Sequence, residues 1–247
     1  MGNVGSADAS SITRLRTGIS GFDEMIGGGI PEGNQVLLIG NAGSGKSLFA
    51  FEMLYRSAKA GIPCADISID QTKRDLLKNV SSTFPGFSGV QDLIGRKKLT
   101  IVEREMDTAF KTDENMTLFI SEIIKTVTAT GSKLIVIDSL SLLRSLLEND
   151  RIFTRSVNFM VENLHRLGVT TIVTIEVPSA SSVRIPGLLE DSMFDGVIKL
   201  ASYGYGEELM HRISVLKMRY TKYKSLQPQF DVTEEGIVIS KKKEIFA

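Results

Sequence analysis

Five short apolar runs alternate with longer segments of helical periodicity. They are Val36-Leu37-Leu38-Ile39, Ala65-Asp66-Ile67-Ser68-Ile69, Leu99-Thr100-Ile101-Val102, Leu134-Ile135-Val136-Ile137 and Thr171-Ile172-Val173-Thr174. Short runs that are apolar on both faces predict strands covered by helices on either side. Between them, Lys46 to Ala60 is apolar almost all round and stops at Gly61, with Pro63 beyond. Met116 to Thr130 carries Met116, Phe119, Ile120, Ile123, Ile124 and Val127 on one stripe and ends at Gly131. Phe153 to Leu167 repeats the pattern with Phe153, Val157, Met160, Val161 and Leu164 before Gly168. The alternation predicts an α/β fold with a mostly parallel sheet, right-handed crossovers and helices on both faces. Beyond Gly196 the runs Val197–Leu200, His211–Met218 and Gly236–Ser240 lack long helices between them. They predict an antiparallel C-terminal extension of the same sheet.

Length narrows the organisation. The 247 residues suit one large domain or two small ones at ~150 residues each. No linker, charge block or internal repeat divides them, so the reading is one domain over 14–240. It is flanked by a disordered tail at 1–13 and a basic tail at 241–247. Hydrophobic residues at 42% and charged residues at 23% exclude a mostly disordered chain, a collagen-like repeat and a disulfide scaffold. Lys plus Arg and Asp plus Glu both total 29, so no overall basic excess points to nucleic acid. The single cysteine, Cys64, fits a reducing compartment and reads as a small core residue. No run approaches the ~18 apolar residues of a membrane span, and the polar N-terminus is no secretory signal. These features predict a soluble, cytoplasmic protein. Met1-Gly2-Asn3-Val4-Gly5-Ser6 fits the loose N-myristoylation pattern, but a floppy tail is the simpler reading.

The chemistry concentrates at Gly40-Asn41-Ala42-Gly43-Ser44-Gly45-Lys46-Ser47, a full match to G-x-x-x-x-G-K-[ST] between an apolar strand and a helix. Glycines at these positions let backbone N–H groups converge on phosphate oxygens, and the helix N-terminus adds partial positive charge. The predicted nucleotide site is Asn41, Ala42, Gly43, Ser44, Gly45, Lys46, Ser47 and Leu48. Lys46 reaches the β- and γ-phosphates, and Ser47 ligates Mg²⁺. Asp138, closing the run Leu134–Ile137, is the second predicted Mg²⁺ residue. The expected ligand is ATP with Mg²⁺.

Around this loop the chain resembles the KaiC-type, RecA-like P-loop ATPases. The resemblance lies in Thr17-Gly18-Ile19-Ser20-Gly21-Phe22-Asp23-Glu24-Met25-Ile26-Gly27-Gly28-Gly29-Ile30-Pro31-Glu32-Gly33 and in Ile137-Asp138-Ser139-Leu140. It continues through Gly168 to Glu176, Leu216-Lys217-Met218-Arg219-Tyr220-Thr221 and Phe230 to Ile237. It implies a RecA-like domain that assembles into a homo-oligomeric ring, typically a hexamer, with ATP between neighbours. It also implies that Lys217 and Arg219 reach the neighbour's γ-phosphate, although Tyr220 replaces the family's glycine.

The family's adjacent catalytic glutamates are replaced by Asp70-Gln71. Asp70 keeps a carboxylate one methylene shorter and is the expected water-orienting residue. A misplacement of about 1 Å can cost ~10² in rate, so slow hydrolysis is expected. Glu176 is a second carboxylate near the site. Three functions follow from the resemblance: a slow regulatory ATPase, a non-hydrolysing switch of the archaellum-motor type with a protein partner, or a recombinase paralog. The recombinase reading needs DNA loops at Ser145 to Arg155 and Val177 to Ser192. The second has Arg184 as its only basic residue beside Glu190 and Asp191, which makes nucleic acid an unfavoured partner. Arg219-Tyr220-Thr221-Lys222-Tyr223-Lys224, interleaving basic and aromatic residues, is its other support.

Overall fold

Val36 and Leu38 face one side of a pleated strand while Leu37 and Ile39 face the other, and all four are buried. That double burial recurs strand after strand and builds a central sheet with two separate cores. A computed structural model describes residues 12–104, 112–147, 149–177, 192–205 and 208–240. In chain order its elements are β1 (Arg14–Leu15), α1 (Phe22–Met25), β2 (Ile30–Pro31), β3 (Gln35–Gly40), α2 (Lys46–Lys59) and β4 (Cys64–Ser68). Then come α3 (Lys73–Thr83), α4 (Val90–Gly95), β5 (Leu99–Glu103), α5 (Asp113–Thr130), β6 (Leu134–Asp138) and α6 (Leu140–Leu146). The chain continues with α7 (Asp150–Arg166), β7 (Thr170–Glu176), β8 (Gly196–Tyr205), β9 (Glu208–Met218), β10 (Gln229–Thr233) and β11 (Gly236–Ile239).

The large sheet has the order β11-β10-β9-β8-β3-β7-β6-β4-β5, and β1 pairs with β2 in a separate ribbon. From β8 to β5 all neighbours are parallel; β9, β10 and β11 add on antiparallel. This is the expected mostly parallel α/β sheet with its antiparallel extension. α2 fills one face, packing Phe49, Met53 and Leu54 against Val36, Leu38, Cys64 and Val136. Phe49 meets Phe22 edge-on at 5.1 Å between ring centroids. The opposite face receives Phe119 and Ile123 of α5 and Phe153 and Leu164 of α7, over Leu37, Ile39, Ile67 and Ile137. Burying one such side chain is worth about 1.5–3 kcal/mol, so the two cores fix the helices on either side of the sheet.

The five expected parallel strands and three long helices are all present, with ends shifted by a few residues. β1, α1, β2, α3, α4, α6 and β10 lie outside the expected set. Ser145 to Arg155, expected as a loop, is largely helical: α6 runs to Leu146 and α7 starts at Asp150, capped by Asn149 Oδ1 on the Arg151 N–H. Most of Val177 to Ser192, the segments 1–11 and 241–247, and the Met1–Ser6 pattern lie outside the described residues. Thr13, assigned to the tail, is tied down through its carbonyl, which accepts from Glu32 N at 3.0 Å. Among the described residues no helix is long and apolar enough to cross a membrane.

Candidate functional site

The glycine-rich turn sits at the carboxyl end of β3, between that strand and α2. Gly43 and Gly45 have φ of 71° and 85°, left-handed values that side chains strain to adopt. Gly40 is closed on all sides: a Cβ there lies 2.4 Å from Ser44 Oγ and 2.5 Å from Leu200 O. Above Gly43 nothing lies within 4 Å of a Cβ position, so the turn opens outward. The first-turn N–H groups of α2 lack intrahelical partners and point into that opening.

Lys46 Nζ donates to Gly40 O and Asn41 O, both at 3.0 Å, and lies 4.0 Å from Glu176 Oε2. Burial lowers its pKa below the usual lysine range, while Glu176 and Asp138 pull the other way. Asp138, closing β6, accepts from the Thr174 hydroxyl of β7. Ser139 donates its hydroxyl to Asp70, just past β4. Burial raises the Asp70 carboxyl and the Ser139 hydrogen bond opposes it, while Asp138 and Glu176 add to the rise. Lys46, Ser47, Asp70, Asp138 and Glu176 therefore gather where β3, β4, β6 and β7 end. Parallel sheets hold ligands in this crevice.

Not every expected residue faces the opening. The Asn41 amide turns toward β8, donating to Ser202 O at 3.1 Å and accepting from Ser202 N at 3.0 Å. Leu48 packs its side chain against the core, which leaves only its backbone for a ligand. Lys217 and Arg219 are distant from the turn of their own chain. Lys217 Nζ donates to Phe194 O at 2.6 Å, and Arg219 Nη1 to Asp195 Oδ1 at 2.9 Å. Asp195 pairs in turn with Gln35 at the start of β3, about 17 Å from Gly40 at ~3.3 Å per residue. Tyr223 OH donates to Leu216 O, so the basic–aromatic run of 219–224 is partly engaged within the fold.

Sequence reasoning missed Thr174, Ser139, Ser202, His211 and Phe230. Ser139 adjoins Asp138 in the chain, and the other four meet the site through strand register, which no local motif reports. Asp66 was read only as part of a strand. It lies buried in β4 on the face of Asp138, and burial, with a smaller push from Asp138, raises its carboxyl to about 8.

A model of the family described as "ATPase: KaiC" matches residues 15–244. The chain belongs to the KaiC ATPase family. Membership brings with it a nucleotide-binding ATPase domain. The KaiC-like protein of Pyrococcus horikoshii, whose crystal structure is known, superimposes with a TM-score of 0.81 at 31% identity, covering 93% of this chain and 99% of that one. Its fold and the sheet above identify the RecA-like core. The circadian clock protein KaiC2 of Synechocystis is 30% identical over 238 residues, covering 95% of this chain and 41% of that protein. A UPF0273 protein of Aeropyrum pernix is 28% identical, covering 92% and 94%. The chain thus spans about two-fifths of the KaiC2 clock protein and almost all of the two archaeal proteins.

Proposed function

We propose that the chain is a cytoplasmic, ring-forming Mg-ATPase that turns over slowly and regulates a partner through its nucleotide state. The observation that carries this reading is the Lys46 ammonium, held by loop carbonyls at the mouth of an outward-opening glycine turn. That turn offers a run of backbone donors to a polyphosphate. Asn41 to Leu48 contact it mainly through the backbone, and Lys46 balances the β- and γ-phosphate charge. Ser47 and Asp138 supply a hydroxyl and a carboxylate, hard oxygen donors that suit Mg²⁺. When bound, the ion neutralises phosphate charge. The Thr174 hydroxyl keeps the Asp138 carboxylate aimed.

Asp70 takes the base position. A carboxylate with a raised pKa is the better proton acceptor, and Asp70 is raised. Its short side chain and its bond to Ser139 limit its reach toward water, which supports slow turnover. Lys217 and Arg219, at the far end of the sheet from their own turn, act on ATP held by a neighbouring copy. A hexameric ring satisfies that need for every subunit.

Phosphate release with Mg-ATP, beside light-scattering mass with and without nucleotide, tests the proposal. Slow release that Lys46→Ala abolishes, together with a ring-sized mass, is expected. The Ser139 bond also favours a second reading, a switch of the archaellum-motor type. Tight ATP binding with no turnover supports the switch.

A further inference from the structure

We propose that Ser202 and His211 are positioning residues that hold the phosphate turn in its binding shape; the inference rests on the nucleotide reading above. Ser202, on β8, is 8% exposed and engages the turn three times. Its backbone N–H and C=O take the Asn41 amide at 3.0 and 3.1 Å, and its hydroxyl donates to Gly43 O at 3.1 Å. The same hydroxyl oxygen lies 2.8 Å from His211 Nδ1 on β9. His211 stacks on Phe230 of β10, with ring centroids 5.2 Å apart. The Phe230 ring edge lies 3.8 Å from the Cβ position of Gly45. Both halves of the turn thus rest on the hairpin extension, and His211 links the two supports.

Proton counting fixes the chemistry of that link. A serine hydroxyl has one hydrogen to donate. Gly43 O can only accept, so the two contacts of the hydroxyl are both hydrogen bonds only when the Ser202 proton goes to Gly43 O. Nδ1 then satisfies its contact only by donating to Ser202 Oγ, and His211 carries a proton on Nδ1. With the proton on Nε2 alone, Nδ1 and Gly43 O compete for one hydrogen and one support of the turn is lost.

Two measurements test the proposal. The first is calorimetric ATP binding, in the presence of Mg²⁺, by variants of the full chain. Losing hydrogen bonds of this kind weakens binding by ~10-fold in Ser202→Ala, and Ser202→Thr, which keeps the hydroxyl, restores it. His211→Asn, whose amide N–H stands near the Nδ1 position, binds ATP within about twofold of wild type, while His211→Leu, which keeps the Ser202–Gly43 bond but loses the Nδ1 donor, binds more weakly than wild type by a smaller factor than Ser202→Ala. Wild-type affinity in both Ser202→Ala and His211→Leu overturns the proposal. The second is the imidazole ¹⁵N spectrum of the wild-type chain, with His165→Gln assigning the two histidines. A protonated Nδ1 on His211 supports the proposal, and a bare Nδ1 overturns it even if the variants fold poorly. Lys46→Ala serves as a separate control: failure of the wild-type chain itself to bind ATP rejects the nucleotide reading, whereas wild-type binding with unaffected Ser202 variants rejects only the brace.

Discussion

Asp195 grips Arg219 with one carboxylate oxygen, at 2.9 Å from Nη1, and takes the backbone N–H of Gln35 with the other. The arginine proposed to complete a neighbour's site is thereby tied to the base of β3, the strand whose other end carries the phosphate turn. In the proposed ring, the nucleotide turn of a subunit and the arginine it would lend are tied to the two ends of one strand.

This arrangement makes complementation between chains the expected behaviour. Lys46→Ala and Arg219→Ala chains are each expected to be nearly inactive alone. Mixed, some interfaces pair an intact turn with an intact arginine, and phosphate release returns. Recovery toward a quarter of the wild-type rate is a rough expectation for random mixing at one shared site. No recovery in co-assembled rings places Arg219 outside the reaction.

Asp70 carries the second prediction. Asp70→Asn removes the proton acceptor with little change in volume, so phosphate release should fall by ~10² while ATP binding holds. Asp70→Glu, in the same background, is expected to raise turnover by restoring the family's reach. Equal release by wild type and Asp70→Asn removes Asp70 from the mechanism.

The buried Asp66 sets a pH dependence of stability. Its carboxyl rises from the usual ~3.9 to about 8 in the fold. Between those values the folded chain holds a proton that the unfolded chain releases. Stability therefore falls as pH rises from ~4 to ~8, and this contribution is flat outside that window. Asp66→Asn, neutral at every pH, should melt close to wild type near pH 4 and increasingly above it toward pH 8. Thermal midpoints across that range, without nucleotide or Mg²⁺, check this; parallel curves contradict it.

Gly40→Ala tests the closed floor of the turn. A methyl group at Gly40 meets Leu200 O at 2.5 Å, a backbone oxygen that cannot move aside cheaply. The variant should lose ~1–3 kcal/mol of stability, read by chemical denaturation, and bind ATP poorly. A stable Gly40→Ala chain with normal ATP affinity contradicts this.

Much of this fold was legible because its strands are buried on both faces. Val36–Ile39 and Leu134–Ile137 are unbroken apolar runs, and a helix follows each, α2 after β3 and α6 after β6. The glycine-rich turn between β3 and α2 was legible for a different reason: its glycines, lysine and serine are adjacent in the chain. α3 and α4 were not, since Leu76, Val80 and Leu93 are too sparse to mark a stripe. β10 escaped because a strand of this length with only Phe230 buried alternates too briefly to count. Sheet order was hidden as well, and with it every partner set by register. Ser202 meets His211 only because β8 and β9 pair at those two positions, and nothing in either residue's neighbourhood announces that pairing. Lys217 and Arg219 were found by resemblance, whereas their distance from their own turn emerged only from the antiparallel run of β9.

ATP titrated into the full chain with Mg²⁺, in a calorimeter, probes the phosphate cradle at its root. Binding at one nucleotide per chain, lost in Lys46→Ala, is the expected result. Absence of any binding heat from the wild-type chain contradicts a nucleotide site at Gly40–Ser47.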